Sequence, residues 1–230
     1  MAKPAYTSDA MWNFWLKFDK KYPATKLGGT YAPKPGYHNR RSQLHGWDYS
    51  KDEFQKDRLG SSELCAAIDL TMSPAAMKTF SARLLASGKD KNDPRGNYLR
   101  EFFGTINGTK VTGWDFQKLS LTSSDSSHLW HIHVSIVRAY AADPRAYDAL
   151  YSILTGESVL KWKIRNKLTS VVKPKPPTPP AKVYYTCKSG DTLTSIAAKC
   201  HTTVATLIKL NPQKKKNPDA LNVGEKIRVK

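Results

Sequence analysis

The chain has 230 residues, 40% of them hydrophobic, enough to bury one medium core and one small one. No apolar run approaches the ~18–20 residues of a bilayer crossing, which excludes a membrane-spanning helix. The formal charge is +18 and unevenly spread: from Leu160 onward sixteen Lys/Arg face three acids (Asp191, Asp219, Glu225), a net +13. Such a tail favours polyanions by counterion release, whether nucleic acid, anionic membrane or the teichoic-type polymers of a cell wall.

The opening "MAKPAYTSDAMWNFWLKFDKKY" lacks an uninterrupted apolar stretch before a small-residue cleavage site and does not read as a secretory signal. Met11, Phe14, Trp15 and Phe18 fall at helical spacing there. "GYHNRR" and "LHGWDYS" follow, carrying His38 and His45. "AAIDLTMS" reads as a short buried strand with Asp69 inside it, and an acid in that setting is costly unless it is paired or binds a metal. "SPAAMKTFSARLLASGK" is an amphipathic helix opened by Ser73-Pro74 and closed near Gly88. "REFFGTINGTKVTGWDF" reads as strand or loop elements around Asn107-Gly108.

"SSHLWHIHVSIVR" gathers three of the six histidines, His128, His131 and His133. Strand alternation places His131 and His133 on one face and Trp130, Ile132 and Val134 on the other, toward the core. Two imidazoles aimed at a cleft suit a metal. "DPRAYDALYSILTG" is a capped helix. Residues 1–168 therefore read as an α+β domain with a small, mostly antiparallel sheet.

Residues 169–182 contain "VVKPKPPTPPAK", five prolines in twelve residues, which favours an extended spacer of roughly 3 Å per residue. Residues 183–230 read βααβ. "VYYTC" is a strand, and Asp191 or Thr192 caps a helix with Leu193, Ile196 and Ala197 inward. "TTVATLIKLN" is a second helix, stopped at Asn211-Pro212, and "EKIRV" is the closing strand. Pairing of Cys187 with Cys200 is left open by the odd cysteine count, completed by Cys65.

The stretches "SGDTLTSIA", "LIKLNP" and "LNVGEKIRV" make this module resemble the LysM domain. The resemblance implies binding to N-acetylglucosamine-containing glycan, peptidoglycan or chitin, in a groove between two loops. In this sequence those loops are Gly190, Asp191, Thr192 and Leu193, and Asn211 and Pro212.

The strand with Asp69 and the later "WHIHVS" resemble zinc peptidases of the D-Ala-D-Ala carboxypeptidase, hedgehog and lysostaphin-like group. "GYHNRR", "DYS", "DRLG", "AAIDLT" and "SDSSHLWHIHVSI" are similar to catalytic domains of endolysins from phages of actinobacteria. The resemblance implies zinc held by His133, Asp69 and a first histidine, His38 or His45, with His38 preferred for its Gly-Tyr-His-Asn setting. His131 becomes a proton shuttle or a stabiliser of the tetrahedral intermediate. Two positions depart from the pattern. Ser62 stands where relatives commonly have the first ligand histidine, and His128 where many have glutamate, so His128 or another acid must serve as general base. Arg40 or Arg41 is a candidate for holding a stem-peptide carboxylate.

The expected function is hydrolysis of an amide bond in peptidoglycan stem peptide or cross-link, by a monomer anchored to wall glycan. It is expected to be made in a host cytoplasm without a signal peptide and to reach the wall at phage lysis. The alternative is a non-catalytic wall-binding protein with a degenerate peptidase-like domain. Specific nucleic-acid binding or cleavage is not expected, because the H-x-S/T pattern of "HVSI" has no second copy in the same domain.

Overall fold

Ser8 opens the first helix: its side chain accepts a hydrogen bond from the Met11 amide, while Met11, Phe14, Trp15 and Phe18 turn inward. In this computed structural model, describing residues 2–168, 183–215, 217 and 220–229, the chain divides into two units, Met1–Thr169 and Ser170–Lys230. The spacer expected at 169–182 lies outside the described residues.

The first unit runs α1 (Asp9–Lys21), β1 (Lys26–Gly29), α2 (Tyr49–Asp52), β2 (Ala67–Thr71), α3 (Pro74–Lys89), β3 (Leu99–Gly104), β4 (Thr112–Asp115), β5 (Ser120–Thr122), β6 (His131–Ile136), α4 (Pro144–Thr155) and α5 (Val159–Arg165). Ser73 and Asp143 cap α3 and α4, each followed by proline in the first turn, and Gly156 at φ 74° ends α4. The strands form one antiparallel sheet in the order β1-β2-β6-β3-β4-β5.

One face of that sheet is core. Ile68, Leu70, Phe102, Ile132, Val134 and Ile136 pack against the apolar faces of α1, α3 and α4, each side chain contributing roughly 1.5–3 kcal/mol by burial. The period-two alternation sends Asp69, His131, His133 and Ser135 to the opposite face. There the segment from Thr30 to Leu59, short helical turns and loops, covers part of the sheet.

A β-bulge sharpens this division. Leu99 pairs with Ile136 and Glu101 with Ser135, so Arg100 is one extra residue, and Leu99 and Phe102 reach the core while Glu101 and Phe103 do not. Trp130 corrects the expected alternation. It ends the 3₁₀ turn Ser126–Leu129 before β6 begins and is 59% exposed, so it belongs to the cleft rim rather than the core.

The second unit contains β7 (Tyr184–Thr186), α6 (Leu193–Lys199), α7 (Val204–Leu210) and β8 (Lys226–Arg228), with β7 antiparallel to β8. Thr192 caps α6, and its hydroxyl and that of Ser195 form a reciprocal capping box. Cys187, Leu193, Ile196, Ala197, Leu207 and Ile227 make its core. The thiols of Cys187 and Cys200 are free, Cys187 within this core and Cys200 at its margin. Among the described residues no helix is long and apolar enough to cross a membrane.

Candidate metal centre

Three elements bring three side chains to one point. Asp69 on β2 lies directly opposite His133 on β6, and His38 arrives from the loop preceding α2. His38 Nε2 stands 3.1 Å from Asp69 Oδ1 and 3.0 Å from His133 Nδ1, and His133 Nδ1 stands 3.0 Å from the same Asp69 oxygen. The outer nitrogens are engaged: His38 Nδ1 donates to the Thr30 carbonyl at 2.9 Å, and His133 Nε2 hydrogen-bonds Ser135 Oγ at 2.7 Å.

That arrangement fixes protons. Burial would raise the Asp69 pKa, but hydrogen bonds from His133 and His38 overcome it and hold the carboxyl well below the usual range. Burial pushes His133 down to about 4, leaving it neutral. Three ligand-type atoms, His38 Nε2, His133 Nδ1 and Asp69 Oδ1, thus converge at 3.0–3.1 Å from one another. A divalent cation satisfies all three, and two imidazoles plus one carboxylate are a donor set that suits zinc with an open position. Gly28 and Gly29 keep the β1 side of Asp69 clear: a Cβ at Gly28 would lie 3.0 Å from Asp69 Cβ.

The site opens into a cleft of about 370 Å³ lined by Lys34, Tyr49, Asp69, His128, Trp130 and His131, with His38 and His133 at its floor. His131 Nε2 lies 3.8 Å from Asp69 Oδ1, its ring sits between those of Trp130 and His128 (4.5 and 4.7 Å), and burial lowers its pKa. His128 Nδ1 lies 3.2 Å from the Asp125 carbonyl, and its ring packs on Phe103.

Of the two candidates for the third position, His38 is beside Asp69, whereas His45 is exposed and does not line the cleft. Ser62 is half-buried and bonds Glu63. The arginine expectation is corrected: Arg40 pairs with Glu63 at 2.8 Å and lies over the Tyr6 ring, and Arg41 donates to the Gly60 carbonyl. Both guanidiniums are engaged outside the cleft. Lys34 is the cleft's cation, with no ion-pair partner among the described residues. Sequence reasoning missed Thr30 and Ser135 as orienting groups, although Ser135, two residues past His133 on a strand, was findable from the same alternation.

In the second unit, Gly190 adopts φ 82° and Asp191 accepts from the Lys188 amide and the Tyr185 hydroxyl. Leu193 and Asn211 are buried, and Asn211 bonds the backbone of Leu207 and Arg228. These two residues shape their loops from within, whereas Gly190 and Pro212 are exposed and Asp191 and Thr192 lie at the helix start. One cavity among the described residues of this unit, lined by Val183, Cys200, His201, Thr206, Leu210 and Val229, contains none of the six loop residues.

The class of the C-terminal unit follows from its βααβ order and from comparison: residues 185–230 match the LysM domain family. The chain is also similar to an endolysin of Bacillus phage PZA, 58% identical over 45 residues, which are 20% of this chain and 17% of that protein. The matched region thus spans less than a fifth of that relative's length. No solved structure matches the chain.

Proposed function

We propose that the chain is a peptidoglycan hydrolase of the phage-lysin kind, in which the N-terminal unit cuts an amide bond of the stem peptide or cross-link and the LysM domain holds wall glycan containing N-acetylglucosamine. The observation that carries this reading is the triangle of His38, Asp69 and His133 at the cleft floor, in a chain that also carries a wall-glycan module. Zinc is the cofactor the donor set fits best; when bound there, it lowers the pKa of a coordinated water and polarises a carbonyl.

The remaining work falls to the protein's own groups. His131, neutral and within the cleft, accepts a proton from the attacking water and returns it to the departing amine. His128, packed against His131, fixes that ring. Lys34 attracts a carboxylate of the stem peptide, and the exposed Trp130 offers a flat apolar wall at the rim. Within the LysM domain, the loops at Gly190–Leu193 and at Asn211-Pro212 form the glycan groove, and the basic tail adds attraction to anionic wall polymers.

The departure at His128, where related enzymes often carry glutamate, favours a second reading, a wall-binding protein without catalysis. Zinc content by mass spectrometry, measured alongside turbidity loss on purified walls, separates the two. About one zinc per chain with clearing supports the hydrolase; wall binding without metal or clearing overturns it.

A further inference from the structure

The hydrolytic reading leaves unused a polar pair made of Tyr49, on the cleft lining, and the buried Glu101 behind it. The bulge at Arg100 sets Glu101 on the same sheet face as the histidines, directly opposite Ser135, the residue that holds His133. Glu101 is 4% exposed, and the Tyr49 hydroxyl reaches its Oε1 at 3.0 Å from α2. Tyr49 itself lines the cleft beside His38 and Gly36. Gly36 adopts φ 105°, and a Cβ there would sit 3.5 Å from Tyr49 Oη, so its lack of a side chain leaves that hydroxyl approachable.

Glu101 is poorly neutralised. Arg100 Nη1 is 3.8 Å away, but the same guanidinium contacts Asp115 at 2.6 Å, Glu53 at 2.7 Å and Asp57 at 3.7 Å. Burial pushes Glu101 up to about 7; Arg100 and the Tyr49 hydrogen bond pull it down, while the charges of Asp115 and Asp57 raise it further. The charged and titratable groups facing it are thus Tyr49 from α2, Tyr37 from the loop before α2, Arg100 on its own strand, Asp115 on β4 and Asp57 on the turn after α2; β6 contributes uncharged Ser135.

We propose that Tyr49 is a substrate-contacting hydroxyl of this cleft and that Glu101 acts through it, deciding whether Tyr49 offers the cleft a hydrogen or only lone pairs. The proposal rests on the hydrolytic reading. A charged Glu101 accepts the tyrosine O–H, which leaves lone pairs toward the cleft. A neutral Glu101 donates its own O–H to Tyr49 Oη and frees the tyrosine hydrogen to bond the carbonyl oxygen of a bound peptide, most strongly as that oxygen gains charge. No covalent bond is made or broken by the pair; one carboxyl proton binds or leaves. Below the Glu101 pKa the hydroxyl is a donor, and above it an acceptor.

The test measures kcat and KM on a soluble stem-peptide fragment from pH 5.5 to 9, using the zinc-loaded full chain, Tyr49→Phe, Glu101→Gln and the double variant. In the parent, kcat should fall as pH rises through neutrality. Glu101→Gln, whose amide donates to Tyr49 Oη at every pH, should lose that alkaline fall. Tyr49→Phe should lower kcat on the order of a hundredfold with zinc content unchanged, and adding Glu101→Gln to it should change nothing more. Parental kcat in Tyr49→Phe, or a parental alkaline limb in Glu101→Gln, overturns the proposal.

A parent that hydrolyses nothing overturns the hydrolytic reading instead. The pair is then judged by ¹³C carboxyl titration of the full chain, with the Glu101 signal assigned by its loss in Glu101→Gln. Titration near neutrality that moves in Tyr49→Phe supports the hydrogen-bonded pair, and titration in the ordinary carboxylate range overturns it.

Discussion

Thr30 and Ser135 hold the outer nitrogens of His38 and His133, and that is where the centre's geometry is decided. A ligand imidazole that must also find its own orientation binds metal more weakly, and loss of such an orienting partner typically costs 10–100-fold in affinity. Ser135→Ala should therefore weaken zinc binding by about tenfold or more, measured by competition with a chromogenic chelator, while His131→Ala keeps the metal and loses turnover. Equal zinc affinity in Ser135→Ala and the parent would remove Ser135 from the centre.

Glu101 makes a residue-scale prediction about stability as well. Its pKa is raised to about 7 in the folded chain by burial, so between the ordinary carboxylate range and pH 7 the native state binds more protons than the unfolded one. Stability then falls as pH rises through that window. The melting temperature of Glu101→Gln should decline less between pH 5 and pH 8 than that of the parent; parallel declines would show that Glu101 ionises normally.

At the scale of elements, close packing of α3 on β4 and the pinning of the His38 loop matter most. A Cβ at Gly88 would lie 2.3 Å from Trp114 Cδ1. Helix propensity alone favours alanine over glycine by about 1 kcal/mol, but overpacking costs about 1–3 kcal/mol, so Gly88→Ala should lower stability in urea denaturation rather than raise it. Arg138 is 1% exposed and donates to the carbonyls of Ser50, Gly36 and Asn39 and to Ser50 Oγ, tying down both sides of His38. Lysine lacks the planar fork these acceptors need. Arg138→Lys should lose a few kcal/mol, in line with a buried charged group left partly unpaired, and should weaken zinc binding along with it. Unchanged zinc affinity in that variant would separate the loop from the centre.

These elements also show what the sequence made legible. The cores of α1, α3 and α4, and the strands around Asp69 and His133, follow from local periodicity. The face of Trp130 does not follow from the alternation, because a 3₁₀ turn, not the apolar pattern, decides where β6 begins. The segment around His38 has no period; its shape is set by Arg138, a hundred residues away, so the choice between His38 and His45 needed tertiary contacts. Glu101 was hidden for a related reason, since the bulge at Arg100 breaks the alternation that would have placed it.

At the scale of the whole molecule, the chain pairs a cleft unit with a LysM unit, and its net +13 from Leu160 onward lies largely with the latter. Retention on anionic walls should fall steeply as salt rises, by counterion release. Replacing Lys188, Lys209 and Lys226, all exposed, with glutamine should flatten that dependence in a pull-down series from 50 to 500 mM salt (about 9 Å of Debye length lost across it). A salt response identical to the parent's would place retention in the glycan groove alone.

The central claim is that His38, Asp69 and His133 hold the metal that lets this cleft cut a peptidoglycan amide. Mass analysis of fragments released from purified peptidoglycan, with His133→Ala as the blank, tests it most directly. The account predicts new fragments differing by one water across an amide bond with the parent chain and none with the variant. Equal release by His133→Ala, or no release by a zinc-loaded parent, would contradict it.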